Sequence, residues 1–214
     1  MSRSLKSKIL SLLSVFFLLI SIKVYSQNKE LDVVAKQMFI DMNNRDFDAI
    51  VNMTYPKVFD FASKEQMKNL IKTVFEGNKE MSINIPKIIP VYKLSKIFKK
   101  EKNNLEYAFV SYDLKMKMTF HNIEFDDEKK KMMIPMMKAK GMFVKFISNN
   151  SMDVLMKDRI TIILRDDSTK NKWTMMNYDP DSPLFYQMTP TPLIEAAKKY
   201  KQDLLLVSKK NSEK

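Results

Sequence analysis

The chain has no cysteine. That absence removes disulfides, thiol nucleophiles, zinc–cysteine sites and a lipoprotein anchor together. Glycine is almost as scarce: Gly77 and Gly141 are the only two in 214 residues. No G-x-G-x-x-G or G-x-x-x-x-G-K pattern can be written with them, so phosphate-cradling loops and glycine-dependent dinucleotide folds are excluded. His121 is the sole histidine, which rules out a multi-histidine metal site and any mechanism that needs two imidazoles. Long apolar runs are also lacking, with one exception at the N-terminus.

That exception has the form of an export signal. Arg3, Lys6 and Lys8 precede a nearly unbroken apolar run from Ile9 to Ile22, and Val24-Tyr25-Ser26 supplies compact residues for cleavage before Gln27. As a helix the run rises only about 21 Å, short of the roughly 30 Å hydrocarbon core, so it reads as a signal peptide over 1–26 rather than an anchor. The expectation is an exported protein, periplasmic or secreted, with no transmembrane span after signal removal.

What remains, 27–214, has room for a single domain with its own core. Apolar residues at 45% and charged residues at 29% are the profile of a globular chain, not a disordered one. The net charge of +12 includes Arg3, Lys6, Lys8 and Lys23, which leave with the signal, so about +8 stays. Export argues against a nucleic-acid partner. Weak association with an anionic envelope surface suits the charge, as does a merely lysine-rich solvated surface.

Periodicity assigns the elements. Leu31, Val34, Ala35, Met38, Phe39 and Met42 repeat at helical spacing. A short second helix, opened by Asn44 or Asp46, buries Phe47, Ile50 and Val51 and is ended by Pro56. Ser63 and Gln66 form an S-x-x-Q capping box for a third helix, with Met67, Leu70, Ile71, Val74 and Phe75 as its buried stripe and Gly77 as its stop. Ile88 to Phe98 is β-rich but broken by Pro90, and Lys99 to Asn104 is a polar turn. A long strand follows, with Ala108, Val110, Tyr112, Leu114, Met116, Met118 and Phe120 on its core face and the alternate residues toward water.

Asp126 to Gly141 reads as a helix that Pro135 kinks or delays. Met142–Ile147 and Met152–Met156 form two strands, and Arg159–Arg165 with Lys172–Tyr178 form a hairpin. Thr191 and Pro192 open a C-terminal helix, 191–208, with Leu193, Ala197, Tyr200, Leu204 and Val207 as its stripe. The expected fold is α+β: N-terminal helices packed on a curved antiparallel sheet, plus a helical insertion and a C-terminal helix.

This order resembles the nuclear-transport-factor-2-like (cystatin-like) superfamily, as an exported bacterial branch of it. The resemblance rests on helix Leu31–Met42, the run Asn44-Arg45-Asp46-Phe47-Asp48-Ala49-Ile50-Val51, capped helix Ser63–Phe75 and closing strand Lys172-Trp173-Thr174-Met175-Met176. It covers Leu31 to Tyr178. What it implies is a cone, a bent sheet wrapped on helices with a pocket at one end. It implies no single activity, since the superfamily holds isomerases, dehydratases, transport adaptors and plain binders.

Within such a cone, Tyr112, Leu114, Met116, Met118 and Trp173 are the expected pocket residues. Met132, Met133, Pro135, Met136 and Met137 form a kinked, methionine-rich segment suited to a lid, although a helix packed permanently on the sheet explains them equally well. An acid–base enzyme of isomerase or hydrolyase type is the alternative, with Asp113 beside Tyr112 or Tyr107, or His121, as its candidates. Strand alternation turns Asp113 outward, away from the desolvation a useful base needs.

A second alternative is copper(I) on thioethers, since eleven of the 18 methionines fall between Met116 and Met176. Core filling accounts for the same residues without a metal, and no metal site or cofactor is expected. Trp173, Tyr178, Phe185 and Tyr186 fit core and rim packing better than sugar stacking, and Asp179-Pro180-Asp181 lacks the spaced ligands of a calcium loop. The sequence therefore points to a non-enzymatic binding domain for an apolar small ligand or an envelope protein.

Overall fold

A computed structural model describes residues 29–101 and 104–212. The expected signal peptide, residues 1–26, lies outside the described residues. The fold is α+β, with helices at both ends of the described residues and a seven-stranded, wholly antiparallel sheet that does not close on itself. Among the described residues no helix is long and apolar enough to cross a membrane.

Helix α1 spans residues 29–44 and lays Leu31, Ala35, Met38 and Phe39 on the sheet, all buried. Asp46 caps α2 (Phe47–Met53) by accepting from the Ala49 amide. Pro56 does more than end α2: it opens a 3-10 turn, Pro56–Asp60, because its fixed φ suits a first helical position. The capping box of α3 (Lys64–Glu76) forms as expected, with the Ser63 hydroxyl accepting from the Gln66 amide and the Gln66 side chain accepting from the Ser63 amide.

The α3 stripe corrects an expectation. No α3 residue is fully buried, and Leu70 is 58% exposed. The helix packs on α2 and on β1 (Met81–Asn84) at the margin of the sheet, so one side of the stripe stays open.

The sheet is built on two long central strands, β4 (Leu105–Phe120) and β6 (Ser151–Arg165), paired antiparallel. Along the free edge of β4 lie β3 (Phe98–Lys100), β2 (Tyr92–Leu94) and β1. Along the outer edge of β6 lie β5 (Met142–Phe146) and β7 (Thr174–Asn177). The β-rich stretch Ile88–Phe98 thus splits. Ile88, Ile89 and Val91 are exposed on a loop, and β2 and β3 are parted where the Ser95 hydroxyl takes the Phe109 amide at 2.9 Å. The turn expected at Lys99 begins after Lys100 instead.

Two expected strands fuse into β6. Asp158 bridges them in a left-handed conformation (φ 50°), and its amide donates to Asp113 Oδ1 at 3.0 Å. The register shifts there, between Tyr112 and Leu114 of β4. The break read between Met156 and Arg159 is a bulge inside one strand, and bulges bend and twist the strand that carries them.

That bulge divides the sheet into two regions. Before it, both faces are covered. Ala108, Val110 and Tyr112 lie under α1, with Ile163 and Met175. Tyr107 and Phe109 face the other way, with Ile162, Leu164, Tyr55 and Leu193 of α6 (Thr191–Ser212). The expectation of one wet face fails here, because Tyr107, Phe109 and Ser111 are as buried as their alternates. Beyond the bulge it holds: Asp113, Lys115 and Lys117 are exposed, while Met116 and Met118 pack with Met152, Val154 and Phe125.

Two further helices lie among the described residues. Helix α4 (Asp127–Ala139) does not begin late; Asp126 caps it and Pro135 sits inside it. Helix α5 (Pro183–Met188) precedes α6 and buries Phe185. Tyr200 of α6 stacks on Phe109 at 4.7 Å and shares a 3.1 Å hydrogen bond with the Ser111 hydroxyl. Past it α6 outruns the sheet, leaving Leu205, Leu206 and Val207 exposed, so Val207 is not part of the buried stripe.

Candidate ligand groove

At the bulge, where α1 ends, the apolar cover is incomplete. A groove of about 640 Å³ opens between the last turn of α1, the last turn of α3, residues 85–91 and the middle of β4 and β6. Its size falls in the range of small-molecule sites. Phe39 and Met42 line it from α1, Phe75 from α3, Ile85 from the loop, and Tyr112, Leu114 and Met116 from β4.

Aromatic contacts set the shape of the floor. Phe39 meets Tyr112 edge-on at 5.0 Å and tilts against Tyr92 at 5.3 Å. Tyr92 is held by its hydroxyl, which donates to Asp32 Oδ1 at 2.6 Å. Burial, and then that bond, push the Tyr92 phenol up to about 12. The Tyr112 hydroxyl lies 3.4 Å from the Thr161 hydroxyl.

Arg45 joins the walls. It adopts a left-handed conformation (φ 58°) at the end of α1, and its guanidinium donates to the carbonyls of Met42 (2.7 Å) and Ile85 (3.1 Å). The same group lies over the Phe75 ring at 4.8 Å. Three separate segments are thereby tied to one cation. Burial pulls the Arg45 pKa down, against the opposing charge of Glu76.

Arg159 of β6, directly across from Tyr112, also lines the groove and is half-buried. Lys93 and Lys115 stand exposed at the rim. Nearby, Lys201 of α6 donates to the Asp158 carbonyl at 2.8 Å, and burial lowers its pKa.

Of the five expected pocket residues, Tyr112, Leu114 and Met116 share this groove. Met118 does not: it lies farther along the strand, in the cluster of Phe125, Met152 and Val154. Trp173 does not either. It stands at the opposite end of α1, where its indole donates to Glu30 Oε1 at 2.8 Å and Arg165 covers its ring at 4.2 Å.

The expected lid is displaced as well. Among Met132, Met133, Pro135, Met136 and Met137, none lines the groove. Helix α4 is tied to β5 through the turn at Gly141 and packs there, with Met133 in the Phe125 cluster and Met132 and Met136 facing outward. The methionine core beneath it, with Met116, Met118, Met142, Met152 and Met156, is interleaved with Phe120, Phe125 and Phe146 as a packed apolar layer.

The proposed acid–base groups are scattered. Asp113 is exposed and occupied by the Asp158 amide, His121 is exposed beyond the end of β4, and Tyr107 is buried on the other face with its pKa raised by that burial. The buried carboxylates among the described residues, Asp41 and Asp166, do not line the groove and each accepts a hydrogen bond, from Gln37 at 2.7 Å and Tyr55 at 2.7 Å. Among the described residues no three His, Asp or Glu side chains are grouped to hold a metal.

Phe39, Met42, Arg45, Phe75, Ile85 and Arg159 are groove residues that sequence reasoning did not assign. One signal was available for the loop: Pro86 and Pro90 bracket Ile88-Ile89, a pattern that suits a loop better than a paired strand. A second concavity, of about 660 Å³, lies on the wet face beyond the bulge. There Lys115, Lys117 and Lys145 stand around Phe143, Leu155 and Asp153. The chain matches no protein-family model, no curated protein and no solved structure.

Proposed function

We propose that this is an exported, non-enzymatic binding domain that takes an apolar small molecule in the groove at the end of α1, in a scaffold of nuclear-transport-factor-2-like type. The observation that carries this reading is the composition of the groove wall. Aromatic and thioether side chains from α1, α3 and β4 converge there, and no buried carboxylate lines it among the described residues. A general base gains strength by desolvation, and the carboxylates that do line the groove, Asp113 and Asp158, are the two groups of the bulge. Enclosure by four separate segments favours a small ligand over a flat protein partner. Basic residues at the rim and on the wet face agree with weak association with an anionic envelope surface.

The test is native mass spectrometry of the chain purified from its own host, beside a Leu114→Trp variant. The expected result is a bound small molecule on the parent chain, lost when the indole fills the groove. A bare mass for the parent chain, after gentle purification, would remove the support for a resident ligand.

A further inference from the structure

Two arginines on β6 meet opposite fates. Arg165 donates to Glu106 Oε2 at 2.7 Å and stacks on Trp173, so its charge is neutralised and its plane covered. The side chain of Arg159, six residues earlier, makes no ion pair and no hydrogen bond among the described residues, and after burial its charge helps to hold the Lys201 pKa down. It is nevertheless half-buried and faces the groove beside Tyr112. Arg45, the other guanidinium of the groove, binds the Met42 and Ile85 carbonyl oxygens and the Phe75 ring among the described residues.

Two acids, Asp113 and Asp158, line the same groove without reaching this guanidinium. Asp113 spends Oδ1 on the Asp158 amide, and neither Asp113 nor Asp158 forms an ion pair with either arginine. A half-buried cation without a partner is costly to keep, and a guanidinium is the side chain best shaped to hold a carboxylate or phosphate in two parallel bonds. The apolar side chains that line the same groove, Phe39, Leu114 and Met116, suit a hydrocarbon body attached to that head.

Resting on the small-ligand reading above, we infer that the groove is built for a single-chain amphipathic anion, its carboxylate head on Arg159 and its tail against Phe39, Leu114 and Met116. Arg45 holds the walls together and adds positive potential, while Lys93 and Lys115 at the mouth favour approach of the anion.

The experiment is displacement of the neutral dye N-phenyl-1-naphthylamine from the full chain by dodecanoate, dodecanol and dodecyltrimethylammonium, each below its micelle threshold. Dodecanoate is expected to bind at least about tenfold more tightly than dodecanol, the gain from one charge-assisted bond pair, with the cation weakest. Arg159→Gln is expected to erase that preference and Arg159→Lys to keep part of it. The ranking on the parent chain decides the matter even if a variant does not fold.

Equal binding of dodecanoate and dodecanol would overturn the head-group assignment while leaving the apolar groove standing. A preference unchanged in folded Arg159→Gln would overturn Arg159 as the anion's partner. Binding of none of the three would overturn both this inference and the small-ligand reading.

Discussion

The Tyr55 hydroxyl donates to Asp166 Oδ2 across 2.7 Å, a bond between residues 111 positions apart and both buried. It pins the segment after α2 to the turn of the β6–β7 hairpin, beside the backbone bond from the Tyr55 amide to the Met175 carbonyl. Asp166 uses its other oxygen to accept from the amides of Ser168 and Thr169 and from the Ser168 hydroxyl. One carboxylate thus closes a turn and anchors a distant segment.

Tyr55→Phe should therefore destabilise the fold by about 1.5–3 kcal/mol, the usual worth of a bond to a charged group. Asp166→Ala should cost more, since the phenol and the turn donors all lose their acceptor. Urea unfolding with an unchanged m-value is the measurement. A Tyr55→Phe midpoint equal to that of the parent would show that the bond contributes nothing.

The phenols also set an alkaline limit. Burial, and then the bond to Asp166, raise the Tyr55 pKa; burial and the bond to Asp32 push Tyr92 up to about 12. Unfolded, both lose their protons near 10. The folded chain then holds more protons than the unfolded one, so this stability is whole below about pH 10 and is lost as pH rises through the folded values. Thermal melts should fall steeply between about pH 10 and 12, and less steeply in Tyr55→Phe and Tyr92→Phe. Parallel profiles for parent and variants would refute the assignment.

The two glycines should respond very differently to alanine. Gly77 sits at φ 82°, ψ −163°, a region nearly closed to other residues, and a Cβ there would lie 2.1 Å from the Met81 carbonyl oxygen. Gly141 has φ 75° and open space around the same atom. Gly77→Ala should cost about 3 kcal/mol or more and Gly141→Ala about 1 kcal/mol. Guanidinium unfolding of the two variants side by side would expose the idea as wrong if the losses were alike.

Local grammar was legible wherever one segment sufficed to decide it. Ser63, Gln66 and Gly77 mark the ends of α3 through contacts a few residues apart, and alternation from Tyr112 to Phe120 marks the outer half of β4. The groove was half legible. Tyr112, Leu114 and Met116 follow from the face of one strand, whereas Phe39, Arg45, Phe75, Ile85 and Arg159 reach it from four other places in the chain. Met118 and Trp173 lie outside this groove for the same reason, since sharing a sheet does not say which helix covers which stretch of it. The doubly covered region of β4 had left a trace: from Tyr107 to Tyr112 only Ser111 is polar, the near-continuous run of a strand buried on both faces.

The α+β class, the caps of α2, α3 and α4, the hairpin and the exclusion of cysteine- and glycine-dependent chemistries follow from residue type and short-range spacing. Thr191, expected as the cap of α6, is instead its first residue, and Pro190 supplies the first accepting carbonyl. Long-range packing alone puts α4 by β5 away from the groove, makes β6 one bulged strand, and leaves the Arg159 side chain without an ion pair among the described residues. Those outcomes depend on which surfaces compete for the same neighbour across the fold, and that competition is settled by packing among segments far apart in the chain.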